Sequence, residues 1–335
     1  MGQGEVGSLP ALTREIGSVP TNEDKENKMT FSNYPNGLTS FGLPVLPSMD
    51  VGNVYWVNNS PTSGKGLNMT RRYGDARYDD GTLVLGTDIQ LAIDKCVGGR
   101  NDYVMVGAGA YTLTALLNMA GKSSVHLIGQ NGLGCSVGSV GAAALTQTGA
   151  FAVVNLDSYQ ELAGFQIVNL AAYGAVTWNS ATSWRTNIHH NYFHVVNPGS
   201  STTVVGSATG NANSHGLIAK NVFRTYVGGA LEAVIGFGAG GAVDVIDNII
   251  IHGTTGGAAN YGIYNATVLG CTMGNIVSNG GTGTINTGIH SNATSCTANN
   301  RVMGCTAAIS GGTDEKSYSQ NFSAASGGAT ALEEV

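Results

Sequence analysis

Apolar and polar positions alternate in short runs along the middle of the chain, and the runs recur. Thr186-Asn187-Ile188-His189-His190-Asn191-Tyr192-Phe193 is followed by variants at Gly216–Phe223, Val243–Ile250, Gly270–Val277 and Ser295–Val302. Each copy carries one asparagine: Asn191, Asn221, Asn248, Asn275 and Asn300, at steps of 30, 27, 27 and 25 residues. A small or apolar residue stands three before each Asn, and an apolar one stands two after. Weaker copies lie at Leu162–Ile167 and Leu127–Gln130. A repeat of this length implies stacked units rather than one globular core.

Alternate strand residues share a face. Val243 and Val245 therefore point one way, and Ile250 rejoins them beyond a bend. Phe193, Phe223, Val277 and Val302 hold the place of Ile250 in the other copies. A period near 27 suits three short strands and three turns per coil. The predicted fold is all-β, a right-handed parallel β-helix of about seven coils, the hand following the general rule for parallel connections. The five asparagines are assigned to an inner corner, where Asn tolerates left-handed backbone. Stacked side-chain amides can pair there with their neighbours above and below. Their predicted role is a structural ladder.

The flanks depart from this pattern. Thr87–Cys96 carries Ile89, Ala92, Ile93 and Cys96 on one helical stripe, with Thr87 or Asp88 as N-cap and Gly98-Gly99 as stop. A helix over 87–97 just before the repeats suits a lid on the open end of a solenoid. Val54–Val57 and Asp102–Val106 read as strands. The stretch from Arg71 to Asp80 reads as loop, as does Gly132 to Gly149. The divisions predicted are an N-terminal arm over 1–50, entry strands and capping helix over 51–124, repeats over 125–310, and a tail or light cover over 311–335. The arm holds five of the seven prolines and a charged run, Asn22–Lys28, with no hydrophobic period.

Composition narrows the functions. Of 335 residues 50 are glycine and only 11% are charged, with a net charge of −6. That excludes a basic nucleic-acid footprint. No apolar run reaches the 18 or so residues of a membrane span. The five cysteines (Cys96, Cys135, Cys271, Cys296, Cys305) include no CxxC pair. With a start, Met1–Glu5, that lacks a basic and then apolar leader, they read as reduced thiols in a cytosol. Cys271 and Cys296 lie one repeat apart and are expected to be neighbours.

Candidate chemistry is sparse. The glycine clusters open no helix after a strand, so a nucleotide loop fails its context test. His189-His190 invites a metal reading, but adjacent residues in a tight corner do not converge on one ion. His194, His215, His252 and His290 show no ligand spacing. All are read as surface or turn residues, with no metal or cofactor expected. From 171 to 310 the acids are Glu232, Asp244 and Asp247. Asp244 and Asp247 both point outward and are the candidate pair for glycan cleavage, with Arg185, Lys220 or Arg224 as the basic group of a lyase.

Two resemblances bear on function. The order strand, long connection, helix and Tyr103–Tyr111 turn resembles the N-terminal entry of right-handed parallel β-helices. Asn33-Tyr34-Pro35-Asn36-Gly37-Leu38-Thr39-Ser40-Phe41-Gly42 resembles N-terminal segments of tailed-bacteriophage head proteins over about ten residues. That resemblance implies a virion protein on the capsid exterior, made in the host cytoplasm, and a homotrimer. Its arm would contact the major capsid protein or another virion protein through Tyr34, Pro35, Leu38, Phe41, Leu43 and Val45. A capsid cement or decoration protein is the leading expectation. A tailspike-like depolymerase is the alternative, and an adhesin-like surface protein of a bacterium a third.

Overall fold

A computed structural model describes residues 38–40, 43–45, 52, 54–57, 77–78, 87–129, 142–170, 173–178, 184–196, 203–207, 215–226, 231–238, 240–253, 258–280, 284–292, 295–310 and 322–324. The chain divides into two units, residues 1–49 and 50–335. Within the first, Leu38–Ser40 and Leu43–Val45 form an antiparallel pair with Leu38 opposite Val45. Tyr34, Pro35 and Phe41 lie outside the described residues. Of Leu38, Leu43 and Val45 only the backbone pairing is described.

The second unit is a parallel β-solenoid with three sheets. Among the described residues the first sheet has ten strands, from Cys296–Ala298 at one end to Asp102–Val106, Val54–Val57 and Arg77–Tyr78 at the other; the second has nine, from Phe322–Ala324 to Gly109–Leu113; and the third has eight, from Ala307–Ser310 to Leu117–Asn118. The asparagine-bearing coils repeat at about 27 residues.

The inward positions are those the alternation predicts. Val243, Val245, Phe193, Phe223, Ile250, Val277 and Val302 are all at most 1% exposed. In-register stacking puts like on like: Phe193 and Phe223 stack at 4.6 Å with their planes 4° apart. The helix spans Thr87–Lys95, and its stripe of Ile89, Ala92, Ile93 and Cys96 is buried against the first coils.

The structure corrects the boundaries. The coil starts one turn before Val125, because Asp102–Val106, Gly109–Leu113 and Leu117–Asn118 already belong one to each sheet. Arg77–Tyr78 is a strand beside Trp56–Val57, not loop. Ala143–Gln147 is a strand of the second sheet, inside a stretch read as loop. Phe322–Ala324 pairs with Arg301–Met303, so the tail extends the second sheet.

The asparagine corner holds the main correction. Asn191, Asn221, Asn248, Asn275 and Asn300 are fully buried. Left-handed backbone falls instead on the residue before each: His190 (φ 56°), Lys220 (54°), Asp247 (54°), Gly274 (68°) and Asn299 (55°). One left-handed residue turns the chain, and the following Asn is then aimed inward along the stack. The amide Oδ1 of Asn221 accepts from Asn191 N (3.0 Å) and Nδ2 (3.1 Å). Asn248 receives Asn221 at 3.1 and 3.0 Å, Asn275 receives Asn248 at 2.9 and 3.0 Å, and Asn300 receives Asn275 at 3.0 and 3.0 Å. Each Nδ2 also donates backward, to a strand carbonyl of the previous coil: Leu162, Ile188, Ile218, Val245 and Thr272. One amide thus bonds to the coil above and the coil below. At the foot of the ladder Phe165 takes the Asn position and donates its N–H to Asn191 Oδ1 (3.0 Å).

Asn248→Leu keeps the volume but removes the acceptor of two buried donors. Leaving these unpaired costs about 1 to 3 kcal/mol each. The expected loss is roughly 3 to 5 kcal/mol in urea unfolding, and an unchanged midpoint would sink the ladder's role. At the exposed Lys220 the left-handed backbone predicts opposite signs for two variants. Lys220→Gly should be neutral or stabilising by up to ~1 kcal/mol, and Lys220→Val destabilising by about 1 to 2 kcal/mol.

Candidate functional site

A column of titratable side chains stands on the outward face of the first sheet. Tyr103, His126 and Glu161 are register partners in three successive coils. His189 lies diagonally across from Glu161 in the next coil, beside Ala163. Parallel stacking at about 4.8 Å brings their side chains within hydrogen-bond reach. The result is one chain of contacts. Asn101 Oδ1 is 2.6 Å from His126 Nε2, and His126 Nδ1 is 2.6 Å from Glu161 Oε2. Glu161 Oε1 is 2.7 Å from His189 Nε2, and His189 Nδ1 is 2.8 Å from His190 Nδ1. The Tyr103 ring stacks on His126 at 4.3 Å.

The electrostatics follow from these bonds. Burial raises the Glu161 carboxyl, but hydrogen bonds and charge from His126 and His189 outweigh it and bring the pKa down to about 2. Burial, then the Glu161 charge, raises Tyr103. Burial, then the neighbouring His189 and Lys220, lowers His190. Between His189 and His190 one nitrogen donates and the other accepts, so the pair shares one proton across that contact.

A carboxylate held near 2 has no proton to give at neutral pH and is a weak base. Both its oxygens are already accepting. The arrangement braces three coils electrostatically. Among the described residues no group of three or more His, Cys, Asp or Glu is arranged to hold a metal ion.

The sequence-derived candidates are spread over two sheets and three coils, with Lys220 and Asp247 at corresponding corner positions of successive coils. Asp244 is half-buried, and its Oδ1 accepts the Cys271 N–H at 2.8 Å. Asp247 is exposed and left-handed; its carboxylate covers Gly274, where an added Cβ would meet Oδ1 at 2.2 Å. Arg185 is a left-handed turn residue just before Thr186, two coils from Asp244 along the first sheet. Arg224 lies on the second sheet, over the Tyr226 ring at 4.9 Å. The fold does not gather these groups with Arg185.

The histidine assignments also change. His189 is a strand residue bonded to Glu161, and His252 is a core residue whose Nδ1 meets Thr225 Oγ1 at 2.8 Å. Sequence reasoning missed Glu161 and His126. Their signal was present: Glu161 opens the weak copy Leu162–Ile167, one residue ahead of it, and His126 stands one before Leu127 in the other.

Comparison with family models, with curated proteins and with solved structures gives no match.

The pH dependence has a definite sign. Glu161 has a folded pKa below its unfolded value, so its contribution is present above about pH 4.5 and is lost as pH falls towards 2. Its size is on the order of 3 kcal/mol. Glu161→Gln should lower stability by about that amount at pH 6, and the gap to wild type should close between pH 4.5 and 2 in urea titrations. A gap that stays constant over that range would show that the charge is not what the histidines hold.

Proposed function

We propose that this protein is a structural component of a bacteriophage virion, a self-associating capsid cement or decoration protein. The observation that carries this reading is the outward face of the second sheet. Tyr192, Val222, Ile249 and Ile276 stand in register along it, as do Val168, His194, Arg224, Ile251, Ser278 and Met303. Ile249 and Ile251 are 36% and 40% exposed, and Leu170 and Val196 lie exposed at the strand ends. Parallel in-register stacking gathers Tyr192, Val222, Ile249, Ile276 and Ile251 into an apolar patch beside His194 and Arg224, and an exposed apolar patch marks an association surface. The outward acids support a non-enzymatic role as well, since Glu161 and Asp244 are bonded to neighbouring coils. The trimeric state and the capsid partner come from the resemblance of the Asn33–Gly42 segment.

The tailspike-like reading keeps one observation in its favour. Tyr264 and His290 stack at 4.8 Å on the third sheet, with Tyr261 4.8 Å from Tyr264. Half-buried aromatic rings are what a glycan ring packs against.

In sedimentation velocity the protein should run as an oligomer at micromolar concentration. Ile249→Lys/Ile251→Lys should weaken association at least tenfold while leaving unfolding cooperative. A monomeric wild type would remove the basis of the proposal. Deleting residues 1–49 should leave the solenoid folded and abolish virion binding. Electron microscopy should find the protein on the capsid; a position on the tail would favour the glycan reading.

A further inference from the structure

Cys271 and Cys296 hold equivalent places in two successive copies, four residues before Asn275 and Asn300. In the fold they are direct register partners, on the parallel strands Cys271–Met273 and Cys296–Ala298. In-register residues of parallel strands share a face, with Cα atoms about 4.8 Å apart. That lies within the roughly 4.4 to 6.8 Å that a disulfide spans. Both cysteines are half-buried on the outward face, within reach of solvent. Both backbones are held: Cys271 N donates to Asp244 Oδ1 at 2.8 Å, and Cys296 N to Gly270 O at 3.3 Å.

The other described cysteines differ. Cys96 and Cys305 are buried, and their thiols point at backbone carbonyls of Ala92 (3.3 Å) and Met303 (3.7 Å). The place of the pair matters. Cys296–Ala298 is the end strand of the first sheet among the described residues, so one edge of it has no strand partner in that sheet. The end coil of a solenoid is the one with a single neighbour to hold it.

We propose that Cys271 and Cys296 are a modification site: a dithiol that closes to a disulfide and fastens the last strand of the first sheet to the one before it. The oxidant is a low-molecular-weight disulfide such as oxidised glutathione. One cysteine thiolate attacks it, forms a mixed disulfide and releases one glutathione thiolate. The second cysteine thiolate attacks the protein sulfur of that mixed disulfide and releases the other. The two protein thiols give up two protons and two electrons, one S–S bond forms in the protein, and one glutathione disulfide becomes two thiols. Burial, then the Cys296 and Asp244 neighbours, pushes the Cys271 thiol up to about 11, which makes closure faster in alkali. The bond closes a loop within one coil, so the oxidised chain unfolds later than the reduced one.

The test uses the full chain. Oxidised glutathione at pH 8.5, alkylation and non-reducing digestion should yield a linked Cys271–Cys296 peptide, absent from Cys271→Ser and Cys296→Ser. Oxidation should raise the wild-type urea midpoint, reversibly with dithiothreitol, and leave the two variants unmoved. Phenylarsine oxide, which bridges two nearby thiols, should bind the reduced folded wild type and neither variant. Separately alkylated Cys271 and Cys296 after oxidation, no arsenical bound, or a linked peptide with no shift in midpoint would each overturn the proposal.

Discussion

A buried side-chain amide has two hydrogens and a carbonyl that must all find partners, because an unpaired one costs more than a made bond returns. In this fold those partners sit in the coils directly above and below. The amide can be satisfied only if the rise between coils is constant and every corner has the same shape. That constraint is visible in the connections. From the first sheet to the second, two residues always intervene at the ladder: His190-Asn191, Lys220-Asn221, Asp247-Asn248, Gly274-Asn275 and Asn299-Asn300. The connections leaving the second and third sheets absorb the differences in coil length instead. One coil before Asn191 the corner has the same left-handed turn, at Gly164 (φ 75°), but Phe165 stands in the Asn position and meets the ladder with its backbone N–H alone.

What the sequence reveals follows from the same constraint. Inward positions recur at the coil period, so Ile188, Ile218 and Val245 can be read as core from spacing alone. Asn, repeated at every corner, is recognisable as structural. The left-handed residue beside it is not, because the backbone needs a dihedral there and not a side chain. His190, Lys220, Asp247, Gly274 and Asn299 share φ and little else. Propensity for left-handed backbone pointed to the Asn, and packing overrode it. The strand Ala143–Gln147 was hidden for a related reason. Of its inward residues Ala143, Leu145 and Gln147 only Leu145 is a large apolar side chain, so the segment resembles loop in composition.

The candidate site was invisible for a geometric reason. Tyr103, His126, Glu161 and His189 are spaced at 23, 35 and 28 residues. Nothing in a linear reading joins them until the register of four strands is known. Once it is, the column reads as one device: a carboxylate between two imidazoles, braced by an aromatic ring at one end and a third histidine at the other. The outward acids of the repeat region, Asp244 and Asp247, turn out to serve the neighbouring coil.

Each sheet therefore carries two messages in one strand. The inward residues repeat, because every coil must fit the same core. The outward residues need not repeat, and they differ from sheet to sheet: titratable groups and thiols on the first, an apolar patch on the second, and amides and aromatic rings on the third. A contact surface on a solenoid is built by columns of outward residues, one per coil, so its chemistry is set by what stacks on what. The repeat that identifies the fold is for that reason the part of the sequence that says least about partners. The positions that break it, Glu161, Ile249, Ile251, Cys271 and Tyr264 among them, are where the chain's function has to be sought.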